Sequence, residues 1–173
     1  MLVDSKKSKG FTLIELLSVV AIIAILTTLA FSNYRAGDQV LSLQRSTHKL
    51  AQDLRRAQSM AVSAKEFNGE VPTGYGMYFD LNQPNAYILF ADLNDDLLYS
   101  GAEEKVEEIT LESQVELIAL APSVSSALTI VFSPPTPSVF FTPEGSLIAN
   151  INLSTGSSQM NVYVNKAGLI YID

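Results

Sequence analysis

The chain has 173 residues, no cysteine, one histidine and a formal net charge of −7. That length suits one modest domain plus an anchor, and the missing cysteines exclude a disulfide framework and a thiolate metal centre. His48 has no second histidine to join it, so neither zinc ligation nor a Ser-His-Asp triad is supported, and no Gly-rich phosphate loop occurs.

The first element is an apolar run behind a basic leader. Lys6, Lys7 and Lys9 precede Gly10 and Phe11, Glu15 follows, and no further charge appears until Arg35. Leu16 to Tyr34 is an uncharged run of 19 residues, enough to cross a bilayer core of about 30 Å. A secretory signal peptide is excluded: the run is too long and no small-residue cleavage pattern closes it. The lysines keep the N-terminus cytoplasmic and place everything after Tyr34 outside. A carboxylate in such a segment is costly, roughly 2.5–3.5 kcal/mol at mid-membrane, so Glu15 calls for a partner. One partner is local, because Thr12-x-x-Glu15 fits a helix capping box. Another is intermolecular. Cleavage after Gly10 leaves a cationic amine on Phe11, which can pair with Glu15 of a neighbouring copy.

Lys9-Gly10-Phe11-Thr12-Leu13-Ile14-Glu15-Leu16-Leu17 resembles the type IV prepilin and pseudopilin signature. The resemblance implies cleavage between Gly10 and Phe11 by a prepilin peptidase, N-methylation of Phe11, and recruitment of subunits through Glu15. It covers about 25 residues. Many pilins carry a proline near the end of the apolar run, where this chain has Ser32; whether the helix bends there is left open.

The helix is expected to continue to about Lys65, roughly 80 Å in all. Val40, Leu43, Thr47, Leu50, Leu54, Ala57, Ala61 and Ala64 alternate steps of three and four, the stripe of an amphipathic helix. Asn68-Gly69 is expected to end it. Leu50 to Ala61 also resembles the opening helix of the H-type minor pseudopilin (GspH) and FimT-type minor pilin group. The strand pair Gly74 to Phe79 and Tyr87 to Asp92 fits that group as well.

After the helix, alternation predicts nine strands: 76–81, 86–91, 106–111, 115–119, 128–132, 139–142, 147–153, 161–164 and 169–172. The last two form a hairpin across Asn165 to Gly168. The expected class is α+β and pilin-like, a long N-terminal helix packed on an antiparallel β-sheet head of one or two sheets. The expected divisions are a leader (1–10), a transmembrane or filament-core helix (11–34), its amphipathic continuation (35–67) and a β-rich periplasmic head (68–173).

Charge is uneven: net +2 in the leader, net +2 from Phe11 to Phe67, and net −11 from Asn68 onward. An acidic head repels phosphate backbones, so direct nucleic-acid contact is not expected. Asp92-x-Asn94-x-Asp96, with Ser100 and Glu103 following, has calcium-loop spacing, but Leu97 stands where such a loop wants glycine. The ordinary reading is an acidic turn, with calcium as the possible ligand and no other cofactor implied. Glu103, Glu104, Glu107 and Glu108 read as a solvated loop or a guarded sheet edge. Tyr75, Tyr78, Tyr87 and Phe90 read as core.

The leading functional reading is a non-enzymatic minor pseudopilin of type II secretion, anchored in the inner membrane with a periplasmic head, its partners the prepilin peptidase and other pilin-like subunits. A FimT-like minor pilin of a type IV pilus, for adhesion, motility or DNA uptake, is the alternative. A membrane-anchored periplasmic enzyme is the third reading, and it lacks a catalytic constellation.

Overall fold

The computed structural model describes residues 10–122, 126–134 and 138–173, with the side chains of 30–36 outside the described set. It divides into two compact units, 1–38 and 39–173. The leader lysines, and the side chain of Ser32, where the sequence leaves a bend open, lie outside the described set.

Helix α1 is Leu13–Val62. In the first unit its leucines, isoleucines and valines between Leu13 and Leu29 are exposed. Among the described residues, no helix is long and apolar enough to cross a membrane. The expected span of 19 residues runs on through residues 30–34, whose side chains are not described.

In the second unit, α1 buries Leu43, Thr47, Leu50, Leu54, Ala57 and Ala61, six of the eight stripe positions. Val40 and Ala64 are exposed. Ser42, Ser46, Ala51 and Met60 are buried as well, so the covered face is broader than a single seam. The helix ends before the expected Lys65. Lys65 N–H donates to Met60 O (3.1 Å) and Ala64 N–H to Ala61 O (3.0 Å), with Ala64 at φ 46°. This is a Schellman motif with alanine where glycine is usual. Asn68-Gly69, expected to stop the helix, instead forms the next turn. Both residues have positive φ, and Phe67 pairs with Glu70 across them.

All nine expected strands form: β1 (Gly74–Asp80), β2 (Ala86–Asp92), β3 (Lys105–Thr110), β4 (Glu116–Ala121), β5 (Ala127–Ser133), β6 (Ser138–Thr142), β7 (Ile148–Ser154), β8 (Gln159–Asn165) and β9 (Ile170–Ile172). They make two antiparallel sheets, β3-β2-β1-β5-β6 and β4-β7-β8-β9. The chain leaves the first sheet after β3, lays down β4, returns for β5 and β6 beside β1, and then completes the second sheet. The fold is therefore α+β.

One hydrophobic cluster joins the buried face of α1 to the inner faces of both sheets, through Tyr75, Met77, Phe79, Leu128 and Ile130 of the first and Ile151, Val162 and Val164 of the second. Polar contacts fix the helix against them. Tyr87 Oη donates to Asp53 Oδ2 (2.8 Å), and Arg56 pairs with Glu107 of β3 (2.6 Å). Arg55 donates to Ile170 O (3.2 Å) and Gln58 to Gly168 O (3.1 Å), so helix side chains occupy backbone acceptors at edge strand β9.

Candidate functional site

The N-terminus carries the residues that the sequence singles out. Thr12 precedes the first helical residue, and its carbonyl accepts the first helical bond from Leu16 N–H (3.2 Å). Glu15 N–H donates to Thr12 Oγ1 (3.3 Å), and Thr12 N–H donates back to Glu15 Oε2 (3.3 Å). The Thr12 hydroxyl adds a third bond to the same oxygen (3.1 Å). This reciprocal pairing is a complete capping box, satisfying two donors that a helix start otherwise leaves free. Within the single chain, Thr12 is thus the local partner of Glu15. The carboxylate also sits in the first helical turn, where the helix dipole favours a negative charge. None of these bonds uses Oε1. Gly10, Phe11, Thr12 and Glu15 line one shallow concavity, and Phe11 is 82% exposed.

The second expected site, the acidic turn after β2, is organised differently from a cation loop. Asp92 is fully buried, and its carboxylate accepts Asp95 N–H (2.8 Å) and Leu97 N–H (3.2 Å). Asp96 Oδ1 accepts Leu98 N–H (2.8 Å), while Oδ2 accepts from Asn94 Nδ2 (2.9 Å) and Ser100 Oγ (2.9 Å). Glu104, not Glu103, turns inward and takes Ser100 N–H (2.8 Å). Backbone and side-chain donors of the turn itself therefore answer these carboxylates. No group of three or more His, Cys, Asp or Glu able to hold a metal occurs among the described residues.

Burial raises the Asp92 carboxyl above the ordinary range, the Leu97 and Asp95 amides partly opposing it. Asp96 goes the other way. Desolvation would raise it, but bonds from Leu98, Ser100 and Asn94 outweigh that and lower it. Tyr99 of this turn packs on Tyr78 and Phe90, with ring centroids 5.3 and 5.6 Å apart. The loop is thus a lid over the outer face of β1 and β2. The Phe90 ring under it needs Gly76, where an added Cβ would lie 2.5 Å from Phe90 Cε1.

Two family models match the chain. The prokaryotic N-terminal methylation motif covers residues 5–31, and type II transport protein GspH covers residues 46–168. The second spans well over half of the sequence. The chain belongs to the GspH family. No curated protein and no solved structure matches it. The GspH match takes in the buried half of α1 and nearly the whole two-sheet head, while the methylation motif takes in Gly10, Phe11 and Glu15. The chain is therefore a pilin-like subunit, and both matched stretches include part of α1, with residues 32–45 of the helix between them.

Sequence reasoning placed Glu15 and Thr12 correctly as a capping pair. It missed the buried roles of Asp92 and Glu104, since an acidic run gives no sign of which carboxylates turn inward to bind amides. His48 is exposed on α1, as its polar neighbours suggested.

Proposed function

We propose that this chain is a minor pseudopilin of a type II protein secretion system. It is cut between Gly10 and Phe11 by a prepilin peptidase, N-methylated on Phe11, and assembled into a pseudopilus through Glu15. The observation that carries the reading is the joining of a methylation motif to a GspH head in one chain. The leader lysines hold residues 1–10 in the cytoplasm, residues 11–34 anchor the subunit in the inner membrane, and the head faces the periplasm. The role is structural: recruitment depends on a charge pair between the Phe11 amine and Glu15 of a neighbour. In the single chain Thr12 holds the carboxylate, so assembly exchanges a local partner for an intermolecular one.

Mass spectrometry of the N-terminal peptide tests the processing step. The mature chain should begin with methylated Phe11, and retention of Lys6 to Lys9 would refute the reading. Deletion of the gene should abolish export of folded proteins while leaving twitching and DNA uptake intact. The opposite pattern would assign the subunit to a type IV pilus.

A further inference from the structure

The side of α1 that the sheets leave uncovered has one sign of charge. Over residues 41–62 the exposed ridge carries Arg45, Lys49, Arg55 and Arg56. The acid of this stretch, Asp53, is half-buried and accepts the Tyr87 hydroxyl. The head answers two of the four cations, Glu112 lying 3.6 Å from Arg45 and Glu107 2.6 Å from Arg56. Arg55 meets only a carbonyl, Ile170 O at 3.2 Å, so its charge is uncompensated. Lys49 has no ion-pair partner among the described residues.

The lid has the opposite sign. Residues 93–103 hold Asp95, Asp96 and Glu103, all exposed, and no base. None of the three meets a cation among the described residues, and Lys105, the next base along, is taken by Glu108 at 3.2 Å. The lid is a fixed layer, because Asp92 and Glu104 turn inward and bind its own amides. It reaches as far as β6, where Thr142 Oγ1 lies 3.5 Å from Leu97 O. Thr129 and Val131, which share the outer face with Tyr78 and Gly76, are buried. On the inner face of the same strands Tyr75, Met77 and Phe79 pack in the cluster that contains α1. Ridge and lid therefore lie on opposite sides of the first sheet and cannot meet within one chain.

We propose that the ridge of α1 docks on the lid of a second copy of this chain, Lys49 and Arg55 meeting Asp95 and Glu103. Charge complementarity selects that occupant. Two unanswered cations on one surface face unanswered acids on another, and each surface is rigid. A nucleic acid or an anionic lipid surface would meet the same two cations on a chain of net charge −7, which repels polyanions. Ridge against ridge would set cation on cation. Ridge against lid is a heterologous contact: each copy keeps a free lid at one side and a free ridge at the other, so the contact propagates instead of closing into a two-fold dimer. The inference does not rest on the secretion reading, since a subunit of either apparatus could use it.

The test is disulfide trapping, which the absence of native cysteine makes specific. Gln52→Cys on the ridge and Ala102→Cys on the lid replace exposed, uncharged residues and leave every charge in place. The two full chains are solubilised in lauryldimethylamine oxide, mixed and oxidised. A mixed disulfide should form in excess of either chain with itself, and a chain carrying both cysteines should give a ladder of dimers, trimers and longer species. Salt at about 1 M, where the Debye length is about 3 Å, should suppress both. Lys49→Glu in the ridge chain should lower the mixed yield at least about threefold, and Glu103→Lys in the lid chain should restore it. That restoration separates lost docking from lost folding. No mixed disulfide overturns the proposal, as does a yield indifferent to salt and to Lys49→Glu, or a Gln52→Cys chain that links chiefly to itself. In cells expressing both variants, an adduct of the Gln52→Cys chain with a different protein in place of the Ala102→Cys chain would give the ridge to that partner and overturn the second copy as occupant.

Discussion

Replacing Glu15 by glutamine separates the two partners that the structure and the motif assign to it. A capping box accepts Glu or Gln at its third helical position, so Glu15→Gln keeps an acceptor for Thr12 N–H, which now lies 3.3 Å from Oε2. Glu15→Val removes both the acceptor and the charge, so Thr12 N–H loses its partner while the Thr12 hydroxyl can still cap the helix from its own side. Only the charge distinguishes Glu from Gln toward a cationic Phe11 amine. A hydrogen bond to a charged group contributes about 1.5–3 kcal/mol, so its loss weakens each pairing about 10- to 100-fold. The assay is surface shearing and immunoblotting of assembled filaments, alongside membrane fractionation and N-terminal mass spectrometry. Glu15→Gln should insert and be cut normally yet assemble at least tenfold less. Wild-type assembly by Glu15→Gln, with a defect in Glu15→Val, would refute the charge-pairing argument and leave capping as the whole role of Glu15.

Three further outcomes follow from the head. Gly76→Ala sets a Cβ 2.5 Å from Phe90 Cε1 and 2.8 Å from Ile130 O; it should cost about 1–3 kcal/mol, and Phe90→Leu should restore part of that in the double variant, both read by thermal unfolding. Ala64→Gly relieves a left-handed alanine at the end of α1 and should stabilise by about 0.5–1 kcal/mol, the strain released being partly offset by a freer unfolded chain; a lower midpoint would contradict the Schellman assignment. Acid titration of stability should show opposite signs within one turn. A raised carboxyl such as Asp92 takes up its proton first in the folded state, so its contribution rises as pH falls toward the ordinary carboxylate value. A lowered one such as Asp96 contributes above that value and is lost as pH falls through its folded pKa. Asp92→Asn should therefore lose more stability on acidification than the parent chain, and Asp96→Asn less.

Much of this fold is legible because strand alternation is a local signal. Each of the nine strands was placed to within two residues, and the acidic run at Glu107 and Glu108 does lie on edge strand β3. The end of α1 was not legible. Its stop is written in Ala64, a residue with no preference for positive φ, whereas Asn68-Gly69 advertises a turn wherever it occurs. The division of strands between sheets was also hidden. Nothing near β4 announces that it abandons β3 for β7, since that choice is made by long-range burial of Leu117 and Leu120. At the candidate site the capping pair was visible as Thr12-x-x-Glu15, because it is contained in one turn of helix. The lid over Phe90 depends on Gly76, Tyr99 and Asp92 meeting across three segments, and no spacing rule links them.

The broad buried face of α1 bears on where this protein can be divided. The boundary that composition suggests, at Asn68, would release two sheets with Tyr75, Met77, Phe79, Ile130 and Ile151 stripped of the helix that covers them, an open apolar surface prone to aggregate. The compact unit begins instead at Gln39, so a soluble fragment must carry more than twenty residues of helix as part of its own interior. The stalk of this subunit, over that length, is the central beam of the head.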